Sequence, residues 1–260
     1  MSKTRIGLSM LFCLGEPFKS LLKHLHEVDV DTVEIFDEGL HALTGRRVES
    51  LRKVIESRGL EVTVHAPFAD INIASPVPLF RRVFLKRLEK SISYARQLDC
   101  RLWVFHPGIK TGIGYFYPGL EWQMNLDSAR KLLRISEKQG VEIAVENVPE
   151  PFPFLMKSVD DFSLFYNELG EDIGLVLDVG HANLNKQIQS FINHFSKKIV
   201  HMHLSDNDGT FDHHLGVGHG NIDWVSFSNA VKATGYNNIL MLESTQHLEE
   251  SLQTLRNLFA

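Results

Sequence analysis

The sequence is short of cysteine, of positive charge and of long apolar runs, and each shortage excludes something. Two cysteines, Cys13 and Cys100, stand far apart in 260 residues. They make no disulfide framework, so a reduced, cytoplasmic setting is expected. The formal net charge is −5, which gives no basic footprint for a nucleic acid held by electrostatics alone. No apolar stretch is long enough to span a bilayer, so no membrane partner is expected. The opening MSKTRIGLSMLFCLG puts Lys3 and Arg5 ahead of an apolar run, as a signal peptide does. The run is short, no small-residue cleavage site follows, and Glu16-Pro17 interrupts it, so a first strand is the expected reading. The first strand–helix turn also lacks G-x-G-x-x-G, which leaves a dinucleotide fold without specific support. Hydrophobic residues make up 43% of the chain, enough to bury a core.

What is present is an alternation of short β-branched runs with longer amphipathic ones. Strands are expected over 6–10, 32–36, 61–65, 101–106, 141–146, 173–178, 198–204 and 238–243. Helices are expected over 18–28, 46–58, 78–98, 120–139, 159–169, 188–195, 224–234 and 248–259. Gly59, Gly140, Gly170 and Gly235 each stand just past a helical pattern, and Asp223 stands just before one. No linker or shift of composition divides the chain. Strict alternation at this length predicts an α/β fold, a single (β/α)8 TIM barrel domain over residues 1–260.

In such a barrel the chemistry lies at the C-terminal ends of the strands, and the ionisable residues collect there. His65, His106, Glu146, Asp178 and Glu243 each end a strand, and His203 lies near the end of another. His181 follows Asp178, and Asp212 and His214 lie in the loop after His203. The stretch from Lys198 to Trp224 alone holds five histidines and four aspartates. Burying such a collection without cations would cost several kcal/mol per group. Nine ligands suit two or three divalent ions, and the imidazoles favour zinc, with manganese or iron next, over magnesium. Clustered ions activate water and neutralise a phosphoryl group, which suits phosphoester hydrolysis.

At these residues the chain resembles the xylose isomerase-like TIM barrel superfamily (AP endonuclease family 2). Its ligand pattern is most similar to that of endonuclease IV. The matching pieces are His65-Ala-Pro, His106-Pro-Gly, Glu146-Asn147, Asp178-x-x-His181-Ala182 and His203-Leu-x-Asp206. They continue through Asp212-x-His214-x-x-x-Gly218-x-Gly220 to Glu243-Ser244. The resemblance implies one ion at His65, His106 and Glu146, with Glu146 bridging to a second at Asp178, His203 and Glu243. A third ion falls to His181, Asp212 and His214. It also implies hydrolysis of the phosphodiester 5′ to an abasic site by a metal-bound hydroxide, or of a smaller sugar-phosphate. Three features depart from that pattern. His219 stands where the family has Glu in G-E-G, Phe68 stands where a DNA-inserting Tyr is expected, and basic DNA-gripping loops are missing from the first third.

The alternative within the superfamily is a sugar or sugar-phosphate isomerase or epimerase, which Val33-Glu-Ile-Phe36 resembles. There Glu146, Asp178, His203 and Glu243 hold one ion, the two glutamates exchange protons with the substrate, and His181 binds a hydroxyl. On either reading Glu146, Glu243 and His181 are the candidate catalytic residues. A third reading is a metal-binding barrel without activity. Around this centre, Tyr115, Phe116 and Tyr117 are candidates to line a substrate pocket, and Glu34 to bind substrate or water. Trp103 and Trp224 read as packing residues, and Cys13 and Cys100 as buried thiols. His201 is expected on the opposite face of its strand from His203, in a structural role. His213 and His219 are expected to support the ligands or face solvent.

Overall fold

Eight short strands close on themselves in sequence order in a computed structural model that describes residues 4–260. They are β1 (Arg5–Ser9), β2 (Thr32–Phe36), β3 (Glu61–His65), β4 (Leu102–Phe105), β5 (Ile143–Glu146), β6 (Gly174–Asp178), β7 (Ile199–Leu204) and β8 (Ile239–Leu242). Every pairing is parallel, and β1 closes the ring against β8 through Arg5↔Ile239 to Leu8↔Leu242. The helices between them are α1 (Phe18–Glu27), α2 (Gly45–Arg58), α3 (Pro78–Gln97), α4 (Leu120–Gln139), α5 (Val159–Leu169), α6 (Val179–Leu184), α7 (Ile188–Phe195), α8 (Trp224–Ala233) and α9 (Leu248–Leu258). This is the expected (β/α)8 barrel, one domain long. None of the described helices is long and apolar enough to cross a membrane.

Local chemistry sets the boundaries. Thr44 caps α2 by accepting from Arg47 N, and Gly59 ends the helix in the left-handed region at φ +64°. Ser158 and Asp161 form a reciprocal capping box at the start of α5. Asp223 caps α8 by accepting from Ser226 N, as its position predicts. The elements that pattern reasoning missed are short. They are α6 and three 3-10 turns at Met10–Cys13, Gly39–His41 and Gly112–Tyr115. Met10 therefore opens a turn and does not end β1.

Period-two alternation sorts each strand into an outward and an inward set. Outward residues such as Val33, Ile35, Val62, Val64, Leu240 and Leu242 pack against the helices, in a core with Trp103, Phe162, Phe165 and Phe191. Below the rim the inward residues Leu102, Val104, Ala144 and Val176 form their own cluster, with Val200 against it. Ionisable residues occupy the inward positions above them. An extra residue at Val200 shifts the register of β7 against β6, so that Leu175 pairs Ile199 but Val176 pairs His201. The shift turns Val200, His201 and His203 toward the axis, and the register then sets Asp178 directly beside His203. His201 shares the inward face with His203, because residues two apart on a strand point the same way. The expectation that it faces outward is corrected.

A buried ion pair fixes the loop above β2. Asp37 is fully buried and accepts from Arg87 Nη1 at 2.7 Å, Arg87 Nη2 at 2.6 Å and Leu43 N at 2.6 Å. Removing the cation leaves the carboxylate buried and unpaired. Arg87→Met is therefore expected to destabilise the fold by about 3 kcal/mol in urea denaturation.

Candidate metal centre

The inward positions bring the candidate ligands together at the mouth of the barrel. His65, His106 and Glu146 form one group, and Glu146, Asp178, His203 and Glu243 a second sharing Glu146. His181, Asp212 and His214 form a third. Within each group the ligand atoms lie within 4.8 Å of one another. All nine sequence-derived candidates fall in these three groups.

The histidines are oriented from behind. His65 Nδ1 contacts the Ala66 carbonyl at 2.8 Å, His181 Nδ1 the Asn147 carbonyl at 2.7 Å, and His214 Nδ1 the Glu243 carbonyl at 2.9 Å. A carbonyl only accepts, so each Nδ1 carries the proton and each Nε2 offers a lone pair. Those Nε2 atoms face carboxylate oxygens. Glu146 Oε2 lies 3.3 Å from both His65 Nε2 and His106 Nε2. Asp212 Oδ2 lies 3.2 Å from both His181 Nε2 and His214 Nε2. Lone pair against lone pair repels unless positive charge sits between, supplied by a proton or by a cation. Ligands about 2.1 Å from a shared zinc stand roughly 3.0–3.5 Å apart, the spacing seen here. Asp178 Oδ2, Asp212 Oδ1 and His106 Nδ1 are buried without a hydrogen-bond partner, which is costly unless a further group fills that role. The donor set therefore fits a divalent metal.

The charge balance of the bare chain agrees. Burial opposes charge on His181, yet Asp178 and Asp212 hold it well above its usual value. Burial likewise opposes charge on His203, and Glu243, Glu34 and Glu146 hold it well above. Burial would raise Glu146, but His203 and His106 outweigh it and keep the carboxyl well below the usual range. Burial leads at Asp178 and pushes it up to about 7, with His181 pulling the other way. Burial opposes charge on His214 too, but Asp212 carries it to about 9. His106 is lowered, with burial the leading cause. Imidazolium protons thus stand in for the cations.

Glu34 lies deeper than a substrate-binding role requires. It is fully buried, with Oε1 3.0 Å from His203 Nε2 and Oε2 accepting from Thr63 Oγ1 at 2.8 Å. It orients His203 from below, and the expectation that it meets substrate or water is corrected. Asn147, next to Glu146, holds the neighbouring strand end. Its side chain accepts from Asp178 N at 2.7 Å and donates to the Asp178 carbonyl at 3.0 Å, locking β6 beside β5. Asp206 collects Gly218 N, Trp224 Nε1 and Ile222 N, which shapes the loop carrying Asp212 and His214. Trp224 and Trp103 are buried as expected. Burial raises both thiols to about 12, as suits inert cysteines. His213 is largely exposed and lies 3.6 Å from Asp208, outside the centre.

Above the ligands lies a cavity of about 300 Å³, at the small end for a ligand pocket. One wall is His65, His106, Glu146, His181, Asp212, His214 and Glu243, and the other is apolar, chiefly Phe36, Phe68, Phe152 and Phe154. Among the described residues no Lys or Arg lines it. Tyr115, Phe116 and Tyr117 do not line it either, and they stand 86%, 71% and 58% exposed, which corrects their expected place. The phenylalanine wall was missed because its members come from three separate places, the end of β2 (Phe36), the loop after β3 (Phe68) and the loop after β5 (Phe152 and Phe154), with no period linking them.

A family model described as "Xylose isomerase-like TIM barrel" matches residues 22–258. An uncharacterized protein of Methanocaldococcus jannaschii is 28% identical over 92% of this chain and 83% of its own length. An L-ribulose 3-epimerase of Mesorhizobium japonicum is 26% identical over 54% of this chain and 48% of its own. A solved D-tagatose 3-epimerase-like protein superposes with a TM-score of 0.92 at 26% identity, covering 98% of this chain and 97% of that one.

Proposed function

Because the chain belongs to the xylose isomerase-like TIM barrel family, we propose that it is a divalent-metal-dependent isomerase or epimerase of an uncharged sugar. The observation that carries this reading is the four-residue group of Glu146, Asp178, His203 and Glu243 beneath a half-apolar cavity. The epimerase names among the similar proteins favour it over the endonuclease IV-like hydrolysis that the motifs suggested first. An ion held by those four residues would polarise a ketone oxygen and so acidify the adjacent C–H. Glu146, kept ionised by His203 and His106, takes that proton and leaves an enediolate. Glu243, in its acid form, would give its proton to the opposite face and so invert the carbon, and exchange with water would then remove the proton from Glu146 and return one to Glu243. His181 lines the cavity and, with Nδ1 committed to the Asn147 carbonyl, has Nε2 to turn toward a substrate hydroxyl. The phenylalanine wall suits the C–H face of a sugar, and the missing Lys and Arg leave a remote phosphate without a partner.

A second reading has one observation in its favour. The His65–His106–Glu146 and His181–Asp212–His214 groups offer more ligands than a single ion needs, and a multi-ion centre suits phosphoester hydrolysis. One assay separates the two. The zinc- or manganese-loaded protein is incubated in D2O with a panel of free ketoses, and in parallel with an abasic-site duplex. Deuterium at the carbon next to the ketone, with a new epimer and an intact duplex, is expected. Cleavage of the duplex with no exchange into any ketose would replace the proposal with the hydrolase.

A further inference from the structure

We propose that His219, His247 and Glu250 form a separate divalent transition-metal site on the outer rim, joining the loop after β7 to the start of α9. The three offer ligand atoms within 4.8 Å of one another, and none lines the central cavity. His219 Nε2 lies 3.2 Å from Glu250 Oε2, and His247 Nδ1 lies 3.7 Å from the same oxygen. The two imidazoles stack with centroids 3.9 Å apart and planes 14° from parallel, so sharing an ion requires the half-exposed His247 ring to turn until both in-plane lone pairs converge. One carboxylate oxygen thus faces two ring nitrogens, as it does twice in the central site, where the paired rings instead stand 86° apart.

The backbone is shaped to make this meeting. His247 precedes α9 at φ +53°, ψ +40°, a left-handed conformation that a non-glycine residue adopts at a cost. Its side chain makes no capping hydrogen bond in return. Glu250 follows three residues later, on the same face of the first turn. On the facing loop, a Cβ at Gly216 would sit 2.7 Å from His247 Cβ and 3.1 Å from His219 Cδ2, so only glycine allows the approach. Two imidazoles and one carboxylate, exposed enough to keep water as a further ligand, suit zinc, cobalt or nickel over magnesium or calcium.

The loop so anchored is the one that carries Asp212 and His214. It is already tied to the same region by Val217 N donating to Ser251 Oγ at 2.9 Å and Thr245 N donating to the His214 carbonyl at 3.0 Å. An ion at the rim adds a cross-link of a different kind, independent of which reaction the central site performs.

The test is metal counting on the full chain. Wild type, His219→Ala, His247→Gly and Glu250→Gln are saturated with Co2+, and bound metal is measured after equilibrium dialysis, with the cobalt d–d spectrum as a second readout. Each variant is expected to hold one ion fewer than wild type and to lose the same spectral component. His247→Gly removes a ligand while relieving the left-handed strain, so its melting temperature in the absence of metal should hold or rise. Equal cobalt counts in all four proteins would overturn the proposal. So would a deficit confined to variants whose far-UV circular dichroism has also changed.

Discussion

Replacing Glu146 by glutamine is expected to lower turnover by about a hundredfold to ten-thousandfold, the range of a lost proton-transfer group. The Glu146 carboxylate faces four histidines. Its Oε2 lies 3.3 Å from His65 and His106, and its Oε1 lies 3.3 Å from His203 and 3.5 Å from His181. Glutamine keeps the shape but loses the charge, and its amide N–H donors would replace acceptors in a cage built for cations. Steady-state kinetics with metal analysis on the same sample reads both effects, and the bound-metal count should fall together with kcat. Asp212→Asn is the informative partner. It leaves Glu146, Asp178, His203 and Glu243 untouched, so an epimerase should keep most of its kcat. A hydrolase that uses the His181–Asp212–His214 group should lose it.

Removing metal from the protein is expected to lower its melting temperature by on the order of 10 °C. A ligand at about a thousand times its Kd contributes roughly 4 kcal/mol, and for a chain of this size about 1 kcal/mol moves the melting temperature by 2–4 °C. The stripped centre must hold Glu146, Asp178, Asp212 and Glu243 close together, relieved by protonated histidines and by the raised Asp178 carboxyl. Differential scanning calorimetry before and after chelation measures the drop, and zinc or manganese should restore the melting temperature where magnesium does not. A melting temperature indifferent to chelation would mean that imidazolium protons balance the carboxylates on their own.

The sequence makes the barrel legible because its strands carry period-two or β-branched signatures and glycines mark where α2, α4, α5 and α8 stop. α4 and α5 begin and end where the pattern places them, and β2 and β3 do as well. The nine clustered groups are legible for a related reason. Strand ends in a barrel converge, so residues spread from His65 to Glu243 become neighbours once the fold is known. Local spacing says nothing about depth, and the errors follow from that. Glu34 lies one layer below the rim, where it can reach only His203, His201 and Thr63. The inward turn of Val200 at the β7 bulge depends on pairing with β6, which no single strand's sequence reveals. The pocket's phenylalanines share no period, and the exposed Tyr115–Tyr117 run looks more like a pocket than they do.

Anomalous diffraction from crystals of the zinc- or manganese-loaded protein tests the central claim most directly. The account predicts a strong peak among Glu146, Asp178, His203 and Glu243, with any further central peaks at His65–His106–Glu146 or His181–Asp212–His214. Peaks confined to the outer rim, or none at the barrel mouth in protein shown to be folded and exposed to saturating metal, would contradict it.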